Sequence, residues 1–425
     1  ILVLAYSISP VRGSEFSVGW NYVEEMSKGH NLIVLYGAAG EHLGNFEELE
    51  IEFVSESLRS VDFVPVVPSR ITTSLNWLNS QGILKYSFYL AYRSWHKQAY
   101  RKALEIVANK DIDVVHYVCP IGYREPGFLW KIDKPYIWGP VGGLKNRPAH
   151  LMWEKNKILG LFTYARNFVN TLQRNYSGRV RKAFARADVV LAATSENAKI
   201  IEQNYGRKPI YLPENGITAK MLEGQKFVEF KQGEPTRLIW VGSLDNRKSI
   251  DILLKALAKV RTRFFCLFVL GDGPLRDEMK NLALELGLED NVVWVGRLSR
   301  DECNDFYSVA HLHVLTSLDE GNATVIWEAM SFGLPTVAFD HCGMRDVICD
   351  SCGVKVQLGG LDTMIRSLSS ELDILLNDRD RIRHLSSGVI KCSNRYAWSE
   401  RVDVWDEIYN SAIASWHQKH SVRES

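Results

Sequence analysis

The feature that most constrains this chain is an alternation of short apolar runs with amphipathic stretches, carried from one end of the sequence to the other. In the first half such runs fall at residues 1–5, 31–36, 61–66, 114–117, 136–138, 189–192 and 210–212. In the second half they fall at 238–241, 266–270, 292–295, 312–315, 336–339 and 354–356. A short run without polar alternation suits a strand buried on both faces, as in a parallel sheet covered by helices. The stretches between them, such as 250–261 and 275–286, have helical periodicity. This order predicts an α/β protein of two facing Rossmann-like, doubly wound parallel-sheet domains with a cleft between them, each binding ligands beyond the carboxyl ends of its strands.

Length agrees, because 425 residues exceed what one ordinary core accommodates. Turn-forming residues at Pro213-Glu214-Asn215-Gly216 end the first series of strands. The predicted division is a first domain over 1–213, a second over 214–395, and a C-terminal helix over 396–425. In that tail Trp398, Val402, Trp405, Ile408 and Tyr409 share a helical face. No apolar run approaches the ~20 residues of a membrane span. The opening Ile1-Leu2-Val3-Leu4 reads as a buried strand and not as a signal peptide. Seven scattered cysteines suit a reducing, cytoplasmic setting. His341, Cys342, Cys349 and Cys352 form a cluster too ragged in spacing for a four-ligand zinc site, so ordinary loop and core thiols are expected, and no metal.

A net charge of +1 argues against nucleic acid as a partner. The charge is unevenly spread: 26 Lys and Arg face 20 Asp and Glu through Asn215, and 25 face 30 after it. Ten basic residues and one acid, Glu154, occupy 145–186. Such an excess suits either an anionic surface or a solvated helix face.

The most informative stretch runs from Ser317 to Pro335. A strand ends in the polar loop Asp319-Glu320-Gly321-Asn322, and a helix starts near Ala323 and Thr324. Free amides at a helix start, with the helix dipole behind them, suit phosphate oxygens. Glu320 and Glu328 flank that start, one to grip sugar hydroxyls and the other a ribose. Upstream, Gly242-Ser243-Leu244-Asp245-Asn246-Arg247-Lys248 links another strand to a helix. Two cations at such a place can neutralise a diphosphate and stabilise charge building on a leaving group. Gly271 and Gly296 close the next two strands, where small residues let a nucleotide approach the backbone.

Together these motifs resemble the family 4 retaining glycosyltransferases of the two-domain B fold, the group 1 glycosyl transferases. The resemblance rests on Glu320 and Glu328 with seven residues between them, on the following Ala-Met-x-x-Gly-Leu-Pro, and on a lysine six residues after Gly242. It implies that Glu320 contacts the donor sugar and Glu328 the ribose. Lys248, with Arg247, would stabilise the departing phosphate, and Gly321, Asn322, Ala323, Thr324, Gly242, Gly271 and Gly296 would line the donor site. Ser243 stands where the family usually has a phosphate-binding arginine, so Arg247 or a residue from elsewhere takes that role. The implied reaction moves a glycosyl group from a nucleoside diphosphate sugar, a co-substrate and not a bound cofactor, to a saccharide or lipid-linked acceptor. Retention of configuration and independence of metal belong to the same implication, as does a setting in cell-surface polysaccharide or glycolipid assembly. Acceptor specificity would lie in 41–110, where the resemblance is looser.

In the first half, the loop Ser9-Pro10-Val11-Arg12-Gly13-Ser14-Glu15 follows the first strand, and the resemblance brings Gly13 near donor phosphate and acceptor. A lone His is more often a satisfied core residue. Yet the strand-end position of His116 and its match to a His near the family's reaction centre favour a functional role. Residues 83–107 interleave Leu84, Phe88, Tyr92, Trp95 and Tyr100 with Lys85, Arg93, Lys97, Arg101 and Lys102. Either the rings meet a membrane's headgroup boundary, making the protein peripheral on the inner face, or they face the core. A sugar-nucleotide epimerase, a phosphorylase and a non-catalytic nucleotide-sugar binder remain as rivals on the same architecture.

Overall fold

The computed structural model describes residues 1–13, 15–40, 46–49, 58–84, 87–223 and 225–424. Ser14, Lys85 and much of 41–57, where acceptor specificity is expected, lie outside the described residues. The chain divides into two compact units. The first comprises Ile1–Lys145, Asn170–Asn215 and Trp398–Ser425; the second comprises Asn146–Val169 and Gly216–Ala397.

The strands of the first unit are β1 (Leu2–Ala5), β2 (Leu32–Tyr36), β3 (Val61–Pro65), β4 (Val115–Cys119), β5 (Tyr136–Val141), β6 (Val189–Ala192) and β7 (Ile210–Tyr211). They form one parallel sheet in the order β3-β2-β1-β4-β5-β6-β7. Chain order reverses between β1 and β4, the switch point beyond which such sheets bind ligands. Leu2, Leu4, Tyr117 and Trp138 pack into one helix layer, and Val3, Ala5, Val118 and Ile137 into the other. This is why the inner strands carry no polar alternation, while the edge strands β3 and β7 are partly exposed. The C-terminal helix Val402–Glu424 completes the second of these layers with Trp405, Ile408 and Tyr409, and Arg401 donates to the carbonyls of Pro213 and Asn215.

The second unit holds β8 (Thr236–Val241), β9 (Phe265–Leu270), β10 (Val292–Gly296), β11 (Leu312–Leu315), β12 (Thr336–Phe339) and β13 (Gly353–Val356). They too form a parallel sheet, in the order β10-β9-β8-β11-β12-β13, with the switch point between β8 and β11. The segment 146–169 belongs to this unit, although the sequence reading puts everything through 213 in the first domain. Its short helix Ala149–Lys155 buries Leu151 and Met152 among Leu254, Leu257 and Met364. Lys155 pairs with Asp251 at 2.6 Å and donates to Ser249 Oγ at 3.0 Å, both side chains nearly buried. Nothing in the local periodicity of 146–169 announces this placement.

Candidate active site

Two loops at the switch point of the second sheet are stitched together by their backbones. After β8, the Asp245 carboxylate accepts from the amides of Arg247 and Lys248, both at 2.9 Å, which curls the loop. Ser249 then takes a left-handed φ of 51° before the helix Ile250–Leu257 begins. After β11, Leu318 N donates to Arg247 O at 2.9 Å, and the Thr316 hydroxyl to Lys248 O at 3.0 Å. The same Thr316 oxygen accepts from the buried Trp240 indole at 3.1 Å. The strands therefore hold the two cations and the Glu320 loop in one place.

Side chains complete the cluster. Glu320 Oε1 accepts from Arg247 at 2.7 Å and Ser317 Oγ at 2.8 Å, and it forms a close ion pair with Lys248 Nζ. Burial alone would raise the Glu320 pKa, but Lys248 and Arg247 hold it below the usual carboxylate value, so it is ionised. Loss of Lys248 would leave the nearly buried Glu320 charge only partly compensated, by the more exposed Arg247. Gly242 gives Lys248 its path, since a Cβ there would press on the lysine stem at 3.3 Å. Gly271 (φ 125°) lies so close to Gly242 that a Cβ would overlap the Gly242 carbonyl, and its amide donates to Gly296 O at 2.7 Å. The three glycines thus form a continuous backbone surface at the ends of β8, β9 and β10.

The helix Thr324–Ser331 starts directly after Gly321 and Asn322, and no side chain caps it at Ala323. Ile326 N already donates to Ala323 O at 3.0 Å, so a ligand or solvent would meet the amides of Thr324 and Val325. Gly343, at the start of the helix Cys342–Val347, donates to Gly321 O at 2.9 Å and braces that loop from behind. His341 Nε2 bonds Ser317 O at 2.9 Å, so its ring supports the loop and is turned away from Cys349 and Cys352. One turn into the helix, Glu328 accepts from the buried Tyr307 hydroxyl at 3.2 Å. Burial raises the Glu328 pKa, an effect that Arg300, Tyr307 and Lys248 only partly offset.

Arg147 is the residue that sequence reasoning missed. It reaches the same loop from 146–169 and pairs with Asp319 through Nε. Both of its backbone groups are held by the Asn167 side chain, at 3.0 and 2.8 Å. The basic excess of 145–186 was its only signal, and the structure changes the meaning of that excess. Lys145, Arg147, Lys155, Arg179 and Arg186 are paired with Glu196, Asp319, Asp251, Glu125 and Asp188, so half of the ten cations are spent inside the protein. Ser243 is exposed beside the cluster, on the loop that carries Arg247.

The residues expected from the first half stand differently. Gly13 lies exposed in the loop after β1, with open space where a Cβ would be. His116 is wholly buried in β4, paired across the sheet with Val3 and Ile137. Its Nε2 bonds Gly139 O at 2.9 Å and its Nδ1 the Tyr22 hydroxyl at 3.0 Å, with Tyr409 and Trp405 against the ring. Burial lowers its pKa to about 4, so it is neutral. The strand continues three residues beyond His116 and the C-terminal helix covers it, so the ring lies in the core and not at the strand end where the sequence reading puts it. Of the apolar side chains in 83–107, Tyr92 and Trp95 are likewise core residues, packed on Tyr6, while Leu84 is exposed.

Two parallel α/β sheets with an ionic cluster at the second switch point define a protein of two Rossmann-like domains, the B fold of glycosyltransferases. Residues 223–384 match the family model "Glycosyl transferases group 1". The chain is 30% identical over 193 residues to the D-inositol 3-phosphate glycosyltransferase of Thermobispora bispora, covering 43% of this chain and 44% of that protein. It spans about half the length of the curated relatives it matches. Among solved structures, the lipopolysaccharide outer core galactosyltransferase WaaB has the same fold, with a TM-score of 0.64, 16% identity, and 97% and 99% of the two chains covered. So does Anabaena HepE in complex with UDP and glucose, with a TM-score of 0.61, 14% identity, and 96% and 99% covered.

Proposed function

We propose that this protein is a retaining glycosyltransferase. It moves a sugar from a nucleoside diphosphate sugar to an acceptor hydroxyl in the assembly of a cell-surface polysaccharide or glycolipid. The observation that carries the reading is the largely buried set Lys248, Ser317 and Glu320 with the half-buried Arg247, at the switch point of the second sheet beside a helix start that no side chain caps. Two cations sharing one carboxylate are ready to be shared with a diphosphate, whose oxygens also meet the amides from Ala323 onward. Arg147 supplies the cation that Ser243 does not. Glu320, freed in part from its partners, takes the donor sugar's hydroxyls, and Glu328 takes the ribose.

In the reaction the bond from the anomeric carbon to the phosphate oxygen breaks, and its electron pair leaves with the diphosphate. The acceptor oxygen bonds to the same face of that carbon and passes its proton to the departing phosphate. Lys248, Arg247 and the helix start stabilise the charge that builds there, in the place where other enzymes use a metal ion. HepE was solved with UDP and glucose, so UDP-hexoses come first in the donor panel, with GDP-sugars beside them. The test is transfer to saccharide and lipid-linked acceptors with and without EDTA, with the product's anomeric configuration read by NMR. Nucleotide release that needs no acceptor and yields free sugar would defeat the reading.

A membrane-borne acceptor is part of the proposal, on new grounds. The helix Lys157–Tyr176 exposes Ile158, Leu161, Phe162, Phe168 and Tyr176 at helical spacing, each more than half accessible. A stripe of that kind, with Lys157, Arg166 and Arg174 on the same helix, suits the headgroup boundary. Among the described residues no helix is long and apolar enough to cross a membrane.

A further inference from the structure

We infer that Cys349, Cys352 and Cys392 form a binding site for one thiophilic divalent cation, of which zinc is the natural occupant. The sequence places Cys349 and Cys352 beside His341 and Cys342, but the fold separates these pairs. His341 turns to Ser317, and the third sulfur comes from Cys392, 43 residues further along. Cys349 follows the helix Cys342–Val347, Cys352 precedes β13, and Cys392 lies on the helix Arg379–Ser393. Cys349 Sγ is 3.2 Å from each of the other two, and all three sulfurs fall within 4.8 Å of one another. Sulfurs that share a tetrahedral zinc at about 2.3 Å stand about 3.8 Å apart, so one ion reaches all three after shifts of a few tenths of an ångström.

The surroundings are built for the convergence. A Cβ on Gly388 would overlap the Ser351 carbonyl, so only glycine lets this helix touch the 349–352 turn and bring Cys392, one turn later, onto the pair. The turn is closed by Cys352 N and Gly353 N, donating to Cys349 O at 2.9 and 3.1 Å. Its Cys-x-x-Cys spacing is one that zinc sites use. Charge also balances. Three thiols give three protons to solvent as the ion binds, the product carries one net negative charge, and Arg395 lies 3.3 Å from Cys392 Sγ to meet it. Cys352 and Cys392 are buried while Cys349 is half-exposed, which gives the ion an entry path. The fourth position falls to water or to the Ser351 hydroxyl, 3.1 Å from Cys349 Sγ. A cation here would clamp the turn before β13 to the helix behind it.

The test uses the full chain, purified with a phosphine reductant, dialysed against zinc and then against buffer alone. Elemental analysis should find one zinc per chain, and cobalt in its place should give intense sulfur-to-metal charge-transfer absorption. Cys349→Ser and Cys392→Ser should each lose more affinity than the roughly 10–100-fold that removing an outer-shell partner costs. Cys266→Ser, in β9, should bind as the wild type does. Zinc should raise the melting temperature of the wild type but not of Cys392→Ser, a readout independent of glycosyl transfer. Zinc that washes out, no sulfur-to-cobalt band, or undiminished binding by the Cys392→Ser chain would overturn the inference. So would a Cys349–Cys352 disulfide in protein made without reductant that takes up no metal once reduced.

Discussion

At the scale of single residues, the candidate site depends on which charges are left when one is removed. Glu320→Gln leaves Lys248 and Arg247 without their carboxylate, and Lys248→Ala removes the nearly buried charge that, in the proposed reaction, meets the leaving group. Each should lower turnover by on the order of 10²-fold or more in protein that is still folded. Wild-type rates from both would end the assignment. Arg147→Ala should weaken donor binding and transfer by roughly ten- to a hundred-fold, the worth of a charge-assisted hydrogen bond. Arg147→Lys should recover only part, since a point charge does not reproduce the guanidinium fork. His116 belongs to a different account. With both ring nitrogens satisfied in the core, His116→Gln should cost stability while turnover per folded molecule, corrected by circular dichroism, stays near wild type. A large loss of turnover in a stable His116→Gln protein would restore the catalytic role implied by its family resemblance.

Elements carry the next predictions. Gly343 braces the loop that carries Glu320, and a Cβ there would overlap both Asn322 Oδ1 and the Gly321 carbonyl. Asn322 can swing away, but the Gly321 backbone has to move. Gly343→Ala should therefore raise the KM for the donor more than it lowers kcat, with a modest fall in melting temperature. An unchanged KM would show that the loop does not bind donor. The helix Lys157–Tyr176 is the other element whose surface poses a question. Vesicles with anionic lipid should pellet the protein at low salt, and Phe162→Asp with Phe168→Asp should abolish pelleting while leaving transfer to a water-soluble acceptor intact. Because half of the basic residues of 145–186 are paired internally, binding should depend more on these apolar side chains than on salt. If salt alone strips the protein from vesicles and the double variant still pellets, charge is the anchor.

At the scale of the whole molecule, acid sensitivity follows from buried imidazoles. Burial lowers the pKa of His96 and His313 to about 3 and of His116 and His311 to about 4. Once unfolded, each ring takes a proton below about 6.5, whereas the folded protein leaves it neutral until near its own lowered value. The stability these rings contribute is thus complete above pH 6.5 and is lost as the pH falls toward 4. For His116 this amounts to on the order of 2 kcal/mol at pH 5. Urea midpoints at pH 7.5 and pH 5 should show the drop, and His116→Gln should make it smaller. Equal midpoints at both values would mean that water reaches these rings.

Both sheets were legible in the chain because parallel strands covered on two faces are mostly apolar, and the thirteen strands among the described residues appear where such runs stand, the edge strands β3 and β13 admitting Asp62 and Lys355. Glu320, Glu328, Arg247 and Lys248 were legible because strand, loop and helix start follow one another within a few residues, so local order already implies a shared place. What local order does not contain is which distant segment packs against that place. Arg147 reaches Asp319 only because Leu151 and Met152 find room in the second unit's core. His116 is sealed because a helix nearly 300 residues later lays Trp405 and Tyr409 over it. Cys392 meets Cys349 because Gly388 has no side chain. Periodicity reports which face of an element is apolar, and only tertiary packing decides what covers that face and which charges it brings along.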